Sequence, residues 1–206
     1  MKAIVRSFLI IACLLGSAAV SNANSIINGS FETPDCDVPG ACSNGSWGLF
    51  EAIPGWTSPV GLIEIGEFSL YGITGQDGDQ VLELDSTGNA AVAQVVAGPG
   101  TFLLSFLYAD RDTGGVDTFD VYWNSVLLAS VTTAANSGGG AMQLFSTTVT
   151  GLAGSNELAF VSTGPSDSLG ALIDDVQLNQ VPDGGLTAML LGVGLVGLAR
   201  IRRMIL

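Results

Sequence analysis

Short runs of β-branched and aromatic residues recur along the chain, separated by Gly, Asn, Asp, Ser and Pro. The clearest run is TFDVYW, in which Phe119, Val121 and Trp123 alternate with Asp120 and Tyr122. Because successive side chains of a strand point to opposite faces of a sheet, this alternation indicates a strand with one buried face. About ten such runs at even spacing predict an all-β fold, an antiparallel β-sandwich or jelly roll.

The chain begins with a segment typical of a secretory signal peptide. Lys2 and Arg6 precede an apolar run, and Ser21 and Ala23 occupy the −3 and −1 positions of a small-residue cleavage site. We therefore expect a signal peptide over residues 1–23 and export across the inner membrane.

The chain ends in a short polar motif, an apolar run and a basic tail. The motif covers residues 181–185, the apolar run 186–199 and the tail 200–206; the named residues are Val181, Pro182, Asp183, Gly184, Gly185, Arg200, Arg202 and Arg203. A helix of the apolar run would span about 21 Å, less than a hydrocarbon core of about 30 Å. Snorkelling arginines and local thinning of the bilayer can make up the difference. The segment therefore predicts a weak, removable anchor with its arginines on the cytoplasmic side.

Residues 24–180 are predicted to form one domain, because no linker divides them. They contain 18 acidic residues and a single basic residue, Arg111, for a net charge of −17. Such a domain lacks the cations that replace counterions on a nucleic acid, so we exclude nucleic-acid partners. The acidity favours bound cations, neutral ligands or solubility alone.

Two cysteines, Cys36 and Cys42, lie close together in PDCDVPGACSNG. In an exported protein such a pair predicts a disulfide that closes a small loop. A metal site is the alternative, but the chain contains no histidine and only one further cysteine.

The lack of histidine also limits catalysis, since it excludes Ser-His-Asp and Cys-His sites and His-ligated metals. Glycoside hydrolysis needs only two carboxylates. However, no acidic pair lies in a motif that would raise the pKa of one member. We therefore expect a protein that is not an enzyme, with a carboxylate-based glycan hydrolase as one alternative.

Several motifs, taken in order, resemble the galactose-binding-like jelly rolls of carbohydrate-binding modules. They are IINGSFETP, IPGWT, GQDGDQVLELDS, AQVV…GPGTFLLSFLYADR, FDVYWNSVLLAS and ALIDDVQL. In the modules that these motifs resemble, a structural Ca²⁺ commonly ties the first strand to the last. The matching residues are Glu32 and Asp174, with Asp175 beside them, and carboxylates are suitable ligands for this ion. The alternative is that Glu32 and Asp174 only cap turns.

A sugar site needs aromatic faces and a few convergent polar groups. The candidate ligand-binding residues are Trp56, Tyr71, Arg111 and Tyr122. The alternatives are that the aromatic residues fill the core and that Arg111 pairs with its acidic neighbours.

A second candidate cation loop is DRDTGGVD, where Asp110, Asp112 and Asp117 have a D-x-D-x-G spacing. It lacks the distal Glu of an EF-hand. A solvated hairpin loop is the alternative.

The C-terminal segment resembles the PEP-CTERM class of bacterial sorting signals, in its VPDGG variety. This resemblance implies an exosortase-type processing enzyme as a partner and transient membrane anchoring through the apolar helix. We therefore expect a cell-surface or extracellular-matrix protein, membrane-anchored before processing, whose non-catalytic β-sandwich binds polysaccharide or surface glycans. A purely structural matrix or coat protein without a ligand site is the other alternative.

Overall fold

The computed structural model describes residues 24–111, 116–134, 140–182 and 192. The expected signal peptide lies outside the described residues, as do Asp112 and most of the expected sorting segment, including Asp183, Gly184, Gly185, Arg200, Arg202 and Arg203. In the part of the chain that is described, no helix is long and apolar enough to cross a membrane.

The predicted all-β antiparallel fold is confirmed, since every pairing between the named strands is antiparallel. The strands are β1 (Trp47–Phe50), β2 (Ala52–Ile53), β3 (Trp56–Val60), β4 (Ile63–Glu67), β5 (Gln80–Glu83), β6 (Ala91–Ala109), β7 (Thr118–Trp123), β8 (Val126–Thr132), β9 (Gln143–Ser162) and β10 (Leu172–Gln180). A short 3₁₀ helix, Phe68–Leu70, follows β4.

The long strands β6 and β9 take part in both layers of a sandwich. One layer, here called the first layer, contains β1, β4, β5, β10 and the paired stretches 102–109 of β6 and 143–149 of β9. The second layer contains β3, β7, β8 and the paired stretches 91–97 of β6 and 155–161 of β9. The register shifts where the two strands pass between layers, and Gly100 and Gly154 have positive φ angles there, 149° and 104°. Glycine adopts such angles without steric cost.

One apolar core fills the space between the layers. Phe106 of the first layer lies 5.0 Å from Phe160 and 6.1 Å from Phe119 of the second layer, measured between ring centroids. On β7, Phe119, Val121 and Trp123 are all buried, as the alternation in TFDVYW predicts. Burial of these aromatic rings is a large favourable contribution to folding.

The segment before β1 lies along the last strand. The N–H of Ser25 donates to the carbonyl of Leu178, and the N–H of Val176 donates to the carbonyl of Gly29. The first and last parts of the domain therefore meet, as the resemblance to the carbohydrate-binding modules implies.

The predicted disulfide is confirmed: Cys36 and Cys42 are bonded, and both are buried. The side-chain amide of Gln80, a residue of β5, binds the disulfide loop to the sheet. Its Oε1 accepts the N–H of Cys36 at 2.6 Å. Its Nε2 donates to the carbonyls of Phe31 and Pro34. The disulfide loop is thus fastened to β5.

Candidate functional site

Two glutamates lie side by side on the outer face of the first layer. Glu64 of β4 is directly opposite Glu83 of β5, which is opposite Leu172 of β10. Their neighbours Ile65 and Leu82 point into the core, so the period of two places both carboxylates on the other face. That face is not open to solvent, because Glu64 and Glu83 are buried.

The cover of this face is the segment that follows β4. Tyr71 and Ile73 pack there with Val81, Ala109 and Leu172 in a second, smaller apolar cluster. The hydroxyl of Tyr71 is held by a hydrogen bond to Glu64 of the sheet. Apolar packing and polar contacts therefore combine to bury the glutamates.

A cavity of about 320 Å³ opens beside the covered glutamates. Its lining combines two aromatic residues, one cation, one carboxylate, two hydroxyls and an aliphatic residue: Trp47, Tyr71, Arg111, Glu64, Ser86, Ser168 and Leu70. Trp47 is only half-buried, whereas Tyr71 is almost fully buried. The volume lies at the lower end of the range of small-molecule sites, roughly 300–1,000 Å³.

Arg111 is fixed by three kinds of contact. Its Nη1 donates to both carboxylate oxygens of Glu83, at 2.9 and 3.0 Å, and to the carbonyl of Ser168 at 3.0 Å. Its guanidinium carbon lies 5.1 Å from the ring centroid of Tyr71, a distance suited to a cation–π interaction. The guanidinium therefore stands in a fixed position at the cavity wall.

The charge of Glu83 is only partly balanced by Arg111. Burial, and next the charge of Glu64, raise the pKa of Glu83 to about 8, although Arg111 and the N–H of Gly170 act in the opposite direction. The Glu64–Glu83 pair therefore holds a proton more readily than exposed glutamates do. Burial and the neighbouring Glu64 likewise raise the pKa of Tyr71, whose hydroxyl donates to Oε1 of Glu64 at 3.0 Å.

Glycoside hydrolysis needs two carboxyl groups that reach the substrate. Glu83 is 0% exposed, and its oxygens accept hydrogen bonds from Arg111 and from the N–H of Gly170. The Glu64–Glu83 pair is therefore unsuited to the glycan-hydrolase alternative.

The four residues expected to bind a sugar are distributed over different sites. Tyr71 and Arg111 come together at the cavity. Trp56 does not, because it is 1% exposed and packs between Phe31 and Phe160 in the core. Its role as a sugar platform is thus contradicted, and the alternative of a core residue holds.

Tyr122 lies on β7 of the second layer, away from the residues that line the cavity. Its hydroxyl donates to Oδ2 of Asp120 at 3.1 Å. The aromatic residue that does line the cavity with an accessible ring is Trp47, which the run WGLFEAI identifies only as part of a strand.

The residues expected to bind calcium hold a loop between the first and last parts of the domain. Oε1 of Glu32 accepts the N–H groups of Asp79 and Gln80, at 2.9 and 3.0 Å. Oδ2 of Asp174 accepts the N–H of Asp77 at 2.6 Å. Both carboxylates therefore accept hydrogen bonds from the backbone of the same loop, residues 77–80.

Asp174 is fully buried, and burial raises its pKa to about 8. Burial also raises the pKa of Glu32. Asp175 lies beside them, but its Oδ1 accepts Nε2 of Gln177 at 2.7 Å. Among the described residues, no three acidic or sulfur side chains are already grouped to hold a metal. Calcium at this site therefore stays a prediction.

The solvated-loop alternative for DRDTGGVD is wrong for two of its aspartates. Asp110 and Asp117 are 2% and 4% exposed. Asp110 follows β6 and Asp117 precedes β7, so both are buried although they flank a loop. Arg111, which follows Asp110, donates to Glu83.

No family model matches the sequence. Among curated proteins, the chain is similar to two proteins named multifunctional-autoprocessing repeats-in-toxin. The identity is 31% over 144 residues for that of Vibrio cholerae serotype O1 and 28% over 158 residues for that of Vibrio vulnificus. These regions cover 68% and 74% of this chain but only 3% of each toxin.

Solved structures with a similar fold include a cyclase from Fischerella sp. TAU, with a TM-score of 0.50 and 14% identity over 76% of this chain and 96% of the cyclase. They also include family 35 carbohydrate-binding modules. That of Paenibacillus barcinonensis has a TM-score of 0.44 and 20% identity, over 66% of this chain and 100% of the module. That of Clostridium thermocellum has a TM-score of 0.43 and 9% identity, over 66% and 99%. At such identities the cyclase match shows a shared β-sandwich fold and does not extend to activity.

Proposed function

We propose that this chain is an exported, non-catalytic β-sandwich protein that binds polysaccharide or a surface glycan in the cavity beside Glu64. The observation that carries the proposal is the combination of groups at the cavity wall. A half-buried indole, a fixed guanidinium and serine hydroxyls face one space of about 320 Å³. A sugar ring has an apolar face and a rim of hydroxyls, so it complements such a wall.

Ser86 gives this proposal an atomic basis. Its Oγ is buried and has no hydrogen-bond partner among the described residues. A buried polar atom without a partner is unfavourable, and a sugar hydroxyl entering the cavity would remove that cost. Trp47 supplies the stacking face. Arg111 and Ser168 are held in place because Nη1 of Arg111 donates to the carbonyl of Ser168.

The proposal extends to export and sorting. The support is the sequence of the two ends, namely a signal-peptide pattern over residues 1–23 and the VPDGG motif with its apolar run and arginines. On this proposal an exosortase-type enzyme processes the tail, the membrane holds the chain until then, and the mature protein acts at the cell surface or outside the cell.

The proposal also keeps a structural Ca²⁺ at Glu32 and Asp174. Glu32 and Asp174 supply carboxylate oxygens, the kind of donor that a hard cation takes, and the cation would compete for them with the N–H groups of residues 77–80. Asp174 is fully buried, and its raised pKa means that a cation would stabilise the ionised form. Such an ion would neutralise this carboxylate and fasten the loop to β10.

The test uses the full-length chain against a panel of neutral and acidic polysaccharides, followed by calorimetric titration with the best ligand. We expect Trp47→Ala to weaken binding at least about tenfold, which corresponds to about 1.4 kcal/mol. Ser86→Ala removes one hydrogen bond and should weaken binding by a factor of about 2 to 10.

Tyr122→Phe is the matched control for Ser86→Ala, because it also removes one hydroxyl but lies outside the cavity. It should leave the affinity unchanged. Absence of binding by the folded wild-type chain would refute the proposal and favour a purely structural matrix or coat protein. Equal losses in Ser86→Ala and Tyr122→Phe would place the ligand elsewhere.

A further inference from the structure

The tripeptide Asn-Gly-Ser occurs twice in the domain, at residues 28–30 and 44–46. An asparagine that precedes glycine can react with its own backbone, because glycine has no side chain to obstruct the attacking nitrogen and rotates freely. The reacting residues are the same in both copies. A difference between their reactivities must therefore come from the tertiary structure.

The first copy is held by hydrogen bonds. Nδ2 of Asn28 donates to the carbonyl of Thr33 at 2.7 Å, and its Oδ1 accepts the N–H of Thr33 at 3.1 Å. The backbone carbonyl of Asn28 accepts Nε1 of Trp56 at 3.0 Å. Gly29 is buried, and its carbonyl accepts the N–H of Val176 at 2.9 Å. Rotation of the Asn28 amide or of the Gly29 backbone would break these contacts.

The second copy lies at an exposed loop tip. Ser43, Asn44 and Gly45 are all exposed. Within the described part of the chain, the amide of Asn44 makes one hydrogen bond, from Nδ2 to Oγ of the adjacent Ser43 at 3.4 Å. Gly45 has a φ of 77°, and a side-chain carbon placed on it would have no described atom within 4 Å apart from its chain neighbours. The tip can therefore rotate without breaking a tertiary contact of the Asn44 amide.

Both ends of this tip are fixed to the domain. On one side Cys42 is bonded to Cys36. On the other side the N–H of Asn44 donates to the carbonyl of Trp47 at 3.0 Å, which closes a turn at the start of β1. The exposed asparagine thus lies between the disulfide and the tryptophan at the cavity.

We propose that Asn44 is a site of spontaneous deamidation in the folded protein, whereas Asn28 is protected. The two sites share their reacting residues, and only the second has an amide and a following glycine that are free to approach each other. Exposed loop tips are where chemical change concentrates, while a hydrogen-bonded segment must first open locally before it can react.

The reaction needs water but no oxidant, reductant or enzyme. The backbone nitrogen of Gly45 attacks Cγ of Asn44, so that a nitrogen–carbon bond forms and the bond from Cγ to Nδ2 breaks. Nδ2 leaves as ammonia with the proton of the Gly45 N–H, and a cyclic imide remains. Water then opens one of the two ring carbonyl–nitrogen bonds. The product is an aspartate in the original main chain or an isoaspartate, whose main chain runs through the former side chain.

Both products change the edge of the cavity. Each adds a negative charge to a domain that is already strongly acidic, and the isoaspartate also lengthens the main chain by one carbon. The added carbon lies in the turn that the N–H of Asn44 closes with Trp47, and Trp47 lines the cavity. Deamidation should therefore weaken glycan binding as the protein ages. This consequence rests on the proposed function, whereas the deamidation itself does not.

The experiment is incubation of the purified full-length chain in mildly alkaline buffer, with peptide mapping by mass spectrometry at intervals. Deamidation is read as the mass gained when NH₂ is replaced by OH. Isoaspartate is read as resistance to a protease that cleaves before aspartate. We expect the peptide with Asn44 to gain this mass at least about tenfold faster than the peptide with Asn28, because Asn28 reacts only after local opening.

The matched control is the same chain unfolded in guanidinium chloride with a reductant. Both tripeptides are then free, so Asn28 and Asn44 should deamidate at similar rates. The key variant is Asn44→Gln, which keeps a neutral amide but must close a larger ring. We expect its peptide to gain no mass over the period in which the wild type is modified.

The effect on the cavity is measured by calorimetric titration of fresh and incubated chains with the best glycan. Incubated wild type should bind more weakly than fresh wild type, by up to the roughly tenfold loss expected from Trp47→Ala, while incubated Asn44→Gln should bind as fresh Asn44→Gln does. Unchanged affinity of the modified wild type would overturn this effect. A fresh chain that binds no glycan would refute the proposed function, and the mass measurement would still decide the deamidation.

The inference is overturned if the folded wild type deamidates Asn28 as fast as Asn44, or leaves Asn44 intact while the unfolded chain is modified. It is also overturned if Asn44→Gln gains the same mass, because the reaction would then lie at another residue of the peptide. A preference for Asn44 that persists in the unfolded chain would show that the tertiary structure is not its cause, and would refute the protection of Asn28.

Discussion

Replacement of Glu64 by glutamine should change how the stability of the chain depends on pH. In the wild type, the pKa of Glu83 is raised from 4.5 to about 8 by burial first and by Glu64 second. Between these values the folded state keeps a proton that the unfolded state has released. The free energy of unfolding must therefore fall as the pH rises from about 4.5 to about 8.

One such proton changes the free energy of unfolding by about 1.4 kcal/mol per pH unit, hence by about 4 kcal/mol between pH 5 and pH 8. In Glu64→Gln, the introduced side chain keeps an oxygen for the Tyr71 hydroxyl and offers an amide N–H to Glu83. The substitution removes the neighbouring charge but leaves the burial of Glu83. We expect the difference in unfolding free energy between Glu64→Gln and wild type to grow by about 2 kcal/mol in favour of the variant over this range.

The assay is urea-induced unfolding of the metal-free, full-length wild type and variant at pH 5, 6, 7 and 8. Glu157→Gln is the matched control, because it neutralises an exposed glutamate on β9. Its stability curve should run parallel to that of the wild type. This control separates the effect of the buried pair from the relief of general charge repulsion.

Parallel curves for Glu64→Gln and wild type would refute the reasoning, because the charge of Glu64 would then contribute nothing to the proton held by Glu83. A loss of stability that grows with pH in the variant would refute it as well. That result would mean that Glu64 stabilises the ionised form of its neighbour.

Three further predictions concern the disulfide, calcium and the tail. Reduction of the Cys36–Cys42 bridge, which closes a loop with a sequence separation of 6, should lower the unfolding free energy by about 2 kcal/mol without unfolding the domain; rapid alkylation of unreduced protein would contradict the bridge. Ca²⁺ should raise the melting temperature because it stabilises only the folded state. The rise should be largest above pH 8, where Asp174, whose pKa is raised to about 8, is ionised in a buried position and destabilises the metal-free fold. Asp174→Asn should lose the part of the rise that comes from this site, and a chelator without effect on wild type would contradict the assignment. Intact mass of surface-extracted protein should show loss of residues 181–206, whereas a retained tail would indicate a permanent anchor.

Local sequence pattern determined most strand positions and one covalent link, whereas the continuity of the long strands β6 and β9 did not follow from it. The core positions of Phe119, Val121 and Trp123 follow from alternation alone, because the period of two is a property of the strand itself. The pairing of Cys36 with Cys42 follows from their short separation and the expected export. Both features depend on neighbours along the chain, which the sequence shows directly.

The choice between two of the tryptophans needed the tertiary structure. Trp47 and Trp56 each begin a strand. Trp56 is buried by Phe31 and Phe160, which lie far from it in the sequence, whereas Trp47 lies at the cavity. Local pattern indicates a strand but does not specify which distant side chains cover its face.

The buried carboxylates also could be located only from the tertiary structure. Glu64 and Glu83 look like ordinary outward-facing residues of two strands, and only the register brings them together under the cover of Tyr71. Asp110 follows β6 and Asp117 precedes β7, and Thr133, which follows β8, contacts both: its hydroxyl donates to Asp110 and accepts the N–H of Asp117. The sequence determined the number of charges and the scarcity of cations; the long-range pairing of strands decided which charges are buried together, and burial is what gives a carboxylate an unusual proton or cation affinity.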